Sequence, residues 1–178
     1  MISDTLKTTI SSFFLNRLEP LNSVEFVRFE YDNEQEYVAG FGCFEDPEDP
    51  VNVIFSIPIN AYHIFFTITE GNAQRIAQDL SAIQQYCENV SEICVGHSVP
   101  TENKYLLENG YVGYVFISAS QFHECLEKAV ELNGKQYKGI GAIPVNTMEL
   151  KIKRESGIEA LFDYWNENGK DRLAFNKN

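Results

Sequence analysis

Positive charge is scarce in this sequence. Its 178 residues include 14 Lys and Arg but 26 Asp and Glu, which gives a formal net charge of -12 at pH 7. A surface this negative repels phosphate backbones and anionic lipid headgroups, which argues against nucleic acid and membranes as direct partners. Two interpretations of the acidity remain: it keeps the protein soluble, or it attracts a basic protein.

Long apolar runs are also lacking. No segment approaches the roughly 18 apolar residues that a membrane-spanning helix needs. The N-terminus, Met1-Ile2-Ser3-Asp4, has neither the basic nor the apolar region of a signal peptide. We therefore expect the protein to reside in the cytoplasm.

Cysteines are few and follow no disulfide-framework spacing. In a reducing cytoplasm we expect free thiols that pack as small hydrophobic side chains. They are Cys43, Cys87, Cys94 and Cys125. A chain of this length buries enough surface to fold without a metal or a disulfide. The sequence also has no cofactor-binding motif, and we expect no cofactor.

The pattern of apolar residues predicts one α+β domain over residues 1–178, with a mixed, mostly antiparallel β-sheet packed with amphipathic helices. Strands are predicted at 24–31, 37–44, 51–57, 62–69 and 111–119, and Asn133-Gly134 predicts a hairpin between 129–132 and 136–143. Helices are predicted at 4–18, 71–90 and 120–128. Residues 103–109 are predicted to be a polar connection, and the tail 170–178 is expected to fray.

Two helix starts are predicted near the C-terminus. Thr147 is the expected cap of a helix over 148–154. Ser156-Gly157-Ile158-Glu159 then has the form of a capping box. Tyr164 and Trp165 share helical spacing with Leu161, which favours core packing over the alternative of an interface hot spot.

The segment 45–50 contains two prolines and four carboxylates, so it is predicted to be a solvated surface loop. Its order of acidic residues does not follow the EF-hand pattern, which argues against calcium. As an alternative to a purely solvating role, the loop presents negative charge to a basic patch on a partner. On that interpretation the candidate partner-binding residues are Glu45, Asp46, Glu48 and Asp49.

Catalytic motifs are absent: there is no GxSxG elbow, Walker loop, GxGxxG fingerprint or HExxH helix. The strongest alternative is a zinc site in which Cys94-x-x-His97 combines with His123-x-Cys125, because thiolate and imidazole are the ligands zinc prefers. Cys94 and His97 also form a possible nucleophile–base dyad, but no Lys or Arg follows before Lys104 to lower the pKa of the thiol. Buried thiols and a surface imidazole are the simpler interpretation.

Two stretches resemble the suppressor-of-fused domain family. The first comprises the helix 76–86, the segment Val95-Gly96-His97-Ser98-Val99-Pro100 and the strand Gly113-Tyr114-Val115-Phe116-Ile117. The second is Ile143-Pro144-Val145, followed by Glu149-Leu150-Lys151-Ile152-Lys153 and by Gly157-Ile158-Glu159-Ala160-Leu161-Phe162. These segments are similar to the family's helix, glycine-histidine turn and hydrophobic strand, and to its closing helices.

The resemblance implies an α+β fold and a protein without enzymatic activity, and it supplies no catalytic residues. It also implies that the chain binds another protein, as the animal members bind a transcription factor. Its short bacterial members suggest an immunity protein that neutralises a toxin, and a basic toxin would suit the acidic charge. The alternatives are a regulatory scaffold and a small-ligand or zinc-dependent enzyme that uses Cys94, His97 and His123.

Overall fold

The computed structural model describes residues 2–18, 21–31, 36–44, 51–122, 124–127 and 129–170. The helices of this part of the chain are α1 (Asp4–Leu15), α2 (Ala73–Asn89), α3 (Lys104–Glu108), α4 (Ala119–Phe122) and α5 (Thr147–Glu167). The strands are β1 (Leu21–Glu30), β2 (Glu36–Phe44), β3 (Asn52–Ile57), β4 (His63–Thr69), β5 (Ser98–Pro100), β6 (Gly113–Ser118), β7 (Val130–Leu132) and β8 (Lys135–Val145). None of the described helices has the length and apolar character needed to cross a membrane.

The strands form one mixed sheet in the order β1-β2-β3-β4-β8-β6-β5, and β7 pairs with β8. Strands β1 to β4 are an antiparallel meander, whereas β4 and β8 run parallel. β8 also pairs antiparallel with β6 and β7, so it is the strand that joins the two halves of the sheet. The predicted α+β class and the mixed, mostly antiparallel sheet are confirmed.

Apolar side chains cover both faces of the sheet, because neighbouring residues of a strand point to opposite sides. Phe55 and Phe66 belong to the core on the side of α1, α4 and α5, where Phe14 stacks on Phe55 with ring centroids 4.7 Å apart. Ile54 and Phe65 belong to the second core, which α2 and α3 cover. The continuous apolar runs of β3 and β4 therefore reflect burial on both faces.

The β7–β8 hairpin is confirmed, with Leu132 paired to Lys135. Asn133 and Gly134 have φ values of 52° and 74°, the left-handed conformation that a two-residue hairpin turn requires. Residues 120–128 do not form one helix: α4 ends at Phe122, and a single 3-10 turn follows at Glu124–Leu126.

The C-terminal helix begins differently from the prediction. Asn146, not Thr147, is the N-cap, and it forms a capping box with Glu149. A second helical segment does begin where it was predicted, because Gly157, with φ of 90° and ψ of 178°, breaks the helix, but the capping box of α5 is the one at Asn146 and not one at Ser156. Trp165 is fully buried, which confirms its core role.

The carboxylate of Glu149 accepts hydrogen bonds from groups near both ends of this helix. One of its carboxylate oxygens, Oε2, accepts the backbone N–H of Asn146 at 2.8 Å. The other, Oε1, accepts the indole N–H of Trp165 at 2.8 Å and the Lys170 ammonium at 2.7 Å. Burial lowers the pKa of Lys170, although Glu149 opposes that shift.

Candidate binding groove

A groove of about 960 Å³ lies between α2, β5 and α3, on the side of the sheet opposite α1 and α5. Four tyrosines from separate parts of the chain line it: Tyr31, Tyr86, Tyr105 and Tyr114. Arg75 and Lys104 line the groove alongside the acidic residues Asp79, Glu102 and Glu108. Its lining thus combines aromatic surface with charges of both signs.

Asparagine side chains hold α3 against the start of α2. Asn103 caps α3 by accepting the backbone N–H of Tyr105 at 3.0 Å, and its own Nδ2 donates to the Arg75 carbonyl at 2.9 Å. The backbone N–H of Asn72, the N-cap of α2, donates to the Tyr105 hydroxyl at 2.9 Å. The predicted polar connection at 103–109 is therefore a short capped helix that forms one wall of the groove.

Asp79 is the most chemically distinctive residue of the groove. Its Oδ2 accepts hydrogen bonds from the Thr101 hydroxyl at 2.8 Å and from the Tyr114 hydroxyl at 3.1 Å. Burial raises the pKa of Asp79, while hydrogen bonds from Thr101, Tyr114 and Asn103 partly offset that shift. Burial and the neighbouring carboxylate raise the pKa of Tyr114 well above its usual value, so this phenol stays a donor.

Sequence reasoning missed this arrangement. Asp79 lies on α2 directly before the buried Leu80, and a carboxylate beside an apolar stripe was the signal available. Thr101 follows β5 and Tyr114 belongs to β6, and only the antiparallel pairing of these strands brings both hydroxyls to α2.

At the level of sequence, no protein-family model and no curated protein matches the chain. Solved structures do match it. A suppressor-of-fused homologue from Neisseria gonorrhoeae superposes with a TM-score of 0.77 at 12% identity, over 99% of this chain and 97% of that one. The chain has the suppressor-of-fused fold.

Two further structures share the suppressor-of-fused fold. A chain of the Sufu-Fu complex matches with a TM-score of 0.55 and 10% identity, over 97% of this chain and 90% of that one. Drosophila Suppressor of Fused matches with a TM-score of 0.51 and 10% identity, over 96% of this chain but 49% of its own length. The resemblance predicted from the sequence is confirmed at the level of the fold, and one protein with this fold was solved in a complex with Fu.

The glycine-histidine segment that contributed to the resemblance forms a tight turn after α2. The backbone N–H of Cys94 donates to Nδ1 of His97 at 3.2 Å, and the N–H of His97 donates to the Cys94 carbonyl at 3.1 Å. Gly96 supplies the positive φ of 87° and bonds to the Phe116 carbonyl of β6. His97 thus stabilises the turn, and its Nδ1 is already an acceptor for a backbone group.

The predicted zinc ligands do not come together as far as the structure describes them. Cys125 packs against the core on the α1 side and donates its thiol to the Arg17 carbonyl, whereas Cys94 lies in the turn after α2. His123 lies outside the described residues. Among the residues that are described, no three His, Cys, Asp or Glu side chains form a group that could hold a metal ion.

Glu45, Asp46, Glu48 and Asp49 all lie outside the described residues, so their role in partner binding stays a prediction.

Proposed function

We propose that this chain is a non-enzymatic protein-binding protein, and specifically a bacterial immunity protein that neutralises a basic toxin in the cytoplasm by binding it. The observation that carries the proposal is the suppressor-of-fused fold, which the chain shares over almost the full length of both proteins. A protein with that fold forms the Sufu-Fu complex.

Charge supports a basic partner. With a net charge of -12, the protein attracts a positively charged protein over distances of about a Debye length, roughly 8 Å at physiological ionic strength. Such attraction raises the association rate and disfavours acidic competitors. Nuclease toxins bind a polyanion, so an acidic inhibitor of such a toxin competes with its substrate for the same positive surface.

The groove supports a binding role. A concave surface with aromatic side chains and a few placed polar groups is the usual form of a recognition site. Tyrosine combines a large apolar area with a hydroxyl group and is enriched where binding energy is concentrated. Tyr86, 42% exposed, and the rim residues Arg75 and Glu102 offer contacts to a bound polypeptide.

The test is toxin neutralisation with defined components. The toxin encoded next to this gene is expressed in a host with and without the protein, and the two purified proteins are mixed at low and high salt. We expect restored growth and a stoichiometric complex whose affinity falls as salt rises. Failure to protect against every neighbouring toxin, together with no stoichiometric protein partner, would overturn the proposal.

A further inference from the structure

The two carboxylate oxygens of Asp79 differ in the hydrogen bonds that they accept. Oδ2 already accepts two hydrogen bonds, from Thr101 and Tyr114. The Asn103 side chain is a further hydrogen-bond partner of the Asp79 carboxylate, and its Nδ2 also donates to the Arg75 carbonyl at 2.9 Å. Asp79 is partly exposed and lines the groove, and its three partners leave one of the roughly four acceptor positions of a carboxylate, on Oδ1, for a bound group.

A partly exposed carboxylate in a tyrosine-lined groove is suited to a cation. Hydrogen bonds from a charged donor to a carboxylate are shorter and stronger than neutral ones. The tyrosine rings add apolar surface for an aliphatic stem and an attraction for positive charge. Among the lining residues Glu102 and Glu108 balance Arg75 and Lys104, so Asp79 contributes the unmatched negative charge.

We propose that the groove binds a lysine side chain of the partner protein, with its ammonium end-on at Oδ1 of Asp79. Lysine is favoured over arginine because the paired, two-oxygen contact that distinguishes a guanidinium needs both carboxylate oxygens. Each carboxylate oxygen accepts about two hydrogen bonds, and Thr101 and Tyr114 fill both positions on Oδ2. An ammonium is a point charge and needs Oδ1 alone.

Because the lysine belongs to the bound protein, this assignment depends on the proposed protein-binding function. The probes are two peptides of equal length and charge, acetyl-Gly-Lys-Gly-Lys-Gly-amide and acetyl-Gly-Arg-Gly-Arg-Gly-amide. Cadaverine is the third probe, since it carries the same ammonium without a peptide backbone. Binding is followed by the NMR shifts of backbone amides around the groove.

We expect the lysine peptide to bind more tightly than the arginine peptide and than cadaverine. Asp79→Asn should weaken the lysine peptide roughly 10- to 100-fold, the usual effect of losing a charged hydrogen bond. The amide also removes an ionised group that burial disfavours, so this variant is expected to fold. The matched control is Glu155→Gln, which removes the same charge from an exposed position on α5, across the sheet from the groove.

Tyr114→Phe separates a specific site from general electrostatics. It removes one donor from Oδ2 and so opens that oxygen to a guanidinium, which should narrow the preference for lysine over arginine. Loss of lysine binding should also accompany protonation of Asp79, as the pH falls through its raised pKa.

Several results would overturn the lysine assignment. They are equal binding of the arginine peptide or of cadaverine, no shift of groove amides with either peptide, and the same loss in Glu155→Gln as in Asp79→Asn. If the toxin complex forms and Asp79→Asn leaves its affinity unchanged, the lysine assignment fails while the immunity function stands. If no toxin or other protein partner binds at all, the proposed function itself fails.

Discussion

Removing the carboxylate of Glu149 should cost the protein more stability than any other exchange of a single polar group described above. Glu149 is 3% exposed and serves Asn146, Trp165 and Lys170 at once. Substitution by alanine removes the capping interaction, worth about 1 kcal/mol. It also removes the hydrogen bond that the fully buried indole N–H of Trp165 donates to Glu149, at a cost of about 1–3 kcal/mol.

The substitution also removes the negative charge of Glu149 from beside the partly buried Lys170 ammonium, which raises the cost in stability further. Breaking one side of a buried ion pair typically costs about 3–5 kcal/mol. Lys170 retains the Pro144 carbonyl as an acceptor at 3.0 Å, and its side chain is 20% exposed, so it recovers part of the loss by moving into water. We therefore expect a total loss of about 3–5 kcal/mol for Glu149→Ala.

The assay is urea unfolding monitored by fluorescence, because Trp165 is the single tryptophan and reports on this contact directly. Glu149→Gln is the matched variant: it keeps acceptor oxygen but removes the charge, so it should lose less. Combining it with Lys170→Met should restore part of the stability, because no uncompensated charge then remains. Equal losses for Ala and Gln, or additive losses in the double variant, would refute the account of a coupled cap and ion pair.

Three further changes test other parts of the structure. Phe14→Ala should lower the free energy of unfolding by about 3–5 kcal/mol in the same urea assay, because Phe14 is fully buried against Phe55; a loss below 1 kcal/mol would contradict this core. Gly113→Ala should cost about 1–3 kcal/mol and shift the amide signals of β5, because the new methyl group would lie 2.3 Å from the Val99 carbonyl oxygen; an unchanged β5 would argue against that close pairing. Burial is the main reason that the pKa of His63 is lowered, so its contribution to stability is present above its unfolded pKa and is lost as the pH falls through the folded one. The urea midpoint of the parent protein should therefore fall more between about pH 7 and pH 5 than that of His63→Asn, and parallel declines would refute this.

Local sequence patterns predicted those helices and turns whose conformation is determined by residues close together in the chain. Ile76, Leu80 and Ile83 mark the buried face of α2, and Asn133-Gly134 permits a two-residue turn. By contrast, α3 has five residues, too few for periodicity to show, and it depends on Asn103 bridging to α2. The order of the strands in the sheet was also beyond local signals, because the parallel β4–β8 pairing joins segments separated by α2, β5, α3, β6, α4, a 3-10 turn and β7.

The candidate site was less predictable than the fold for a related reason. Asp79, Thr101 and Tyr114 belong to three elements, and none of them stands in a motif. Cysteine and histidine side chains suggested a zinc site because zinc prefers thiolate and imidazole ligands. In the structure, however, His97 stabilises a turn and Cys125 donates its thiol to a backbone carbonyl. Chemical character alone did not reveal which polar groups the tertiary structure brings together.

The late position of β8 has a consequence for synthesis on the ribosome. When β1 to β4 and α2 have left the ribosome, β3 is available to pair with β4, but the other edge of β4 still lacks its partner residues 138–141 of β8. That edge is almost wholly apolar, and exposed edges of this kind pair readily with foreign strands. We therefore expect the nascent chain to be prone to aggregation until β8 has been translated, and a premature stop before Lys138 should yield insoluble protein rather than a smaller stable core.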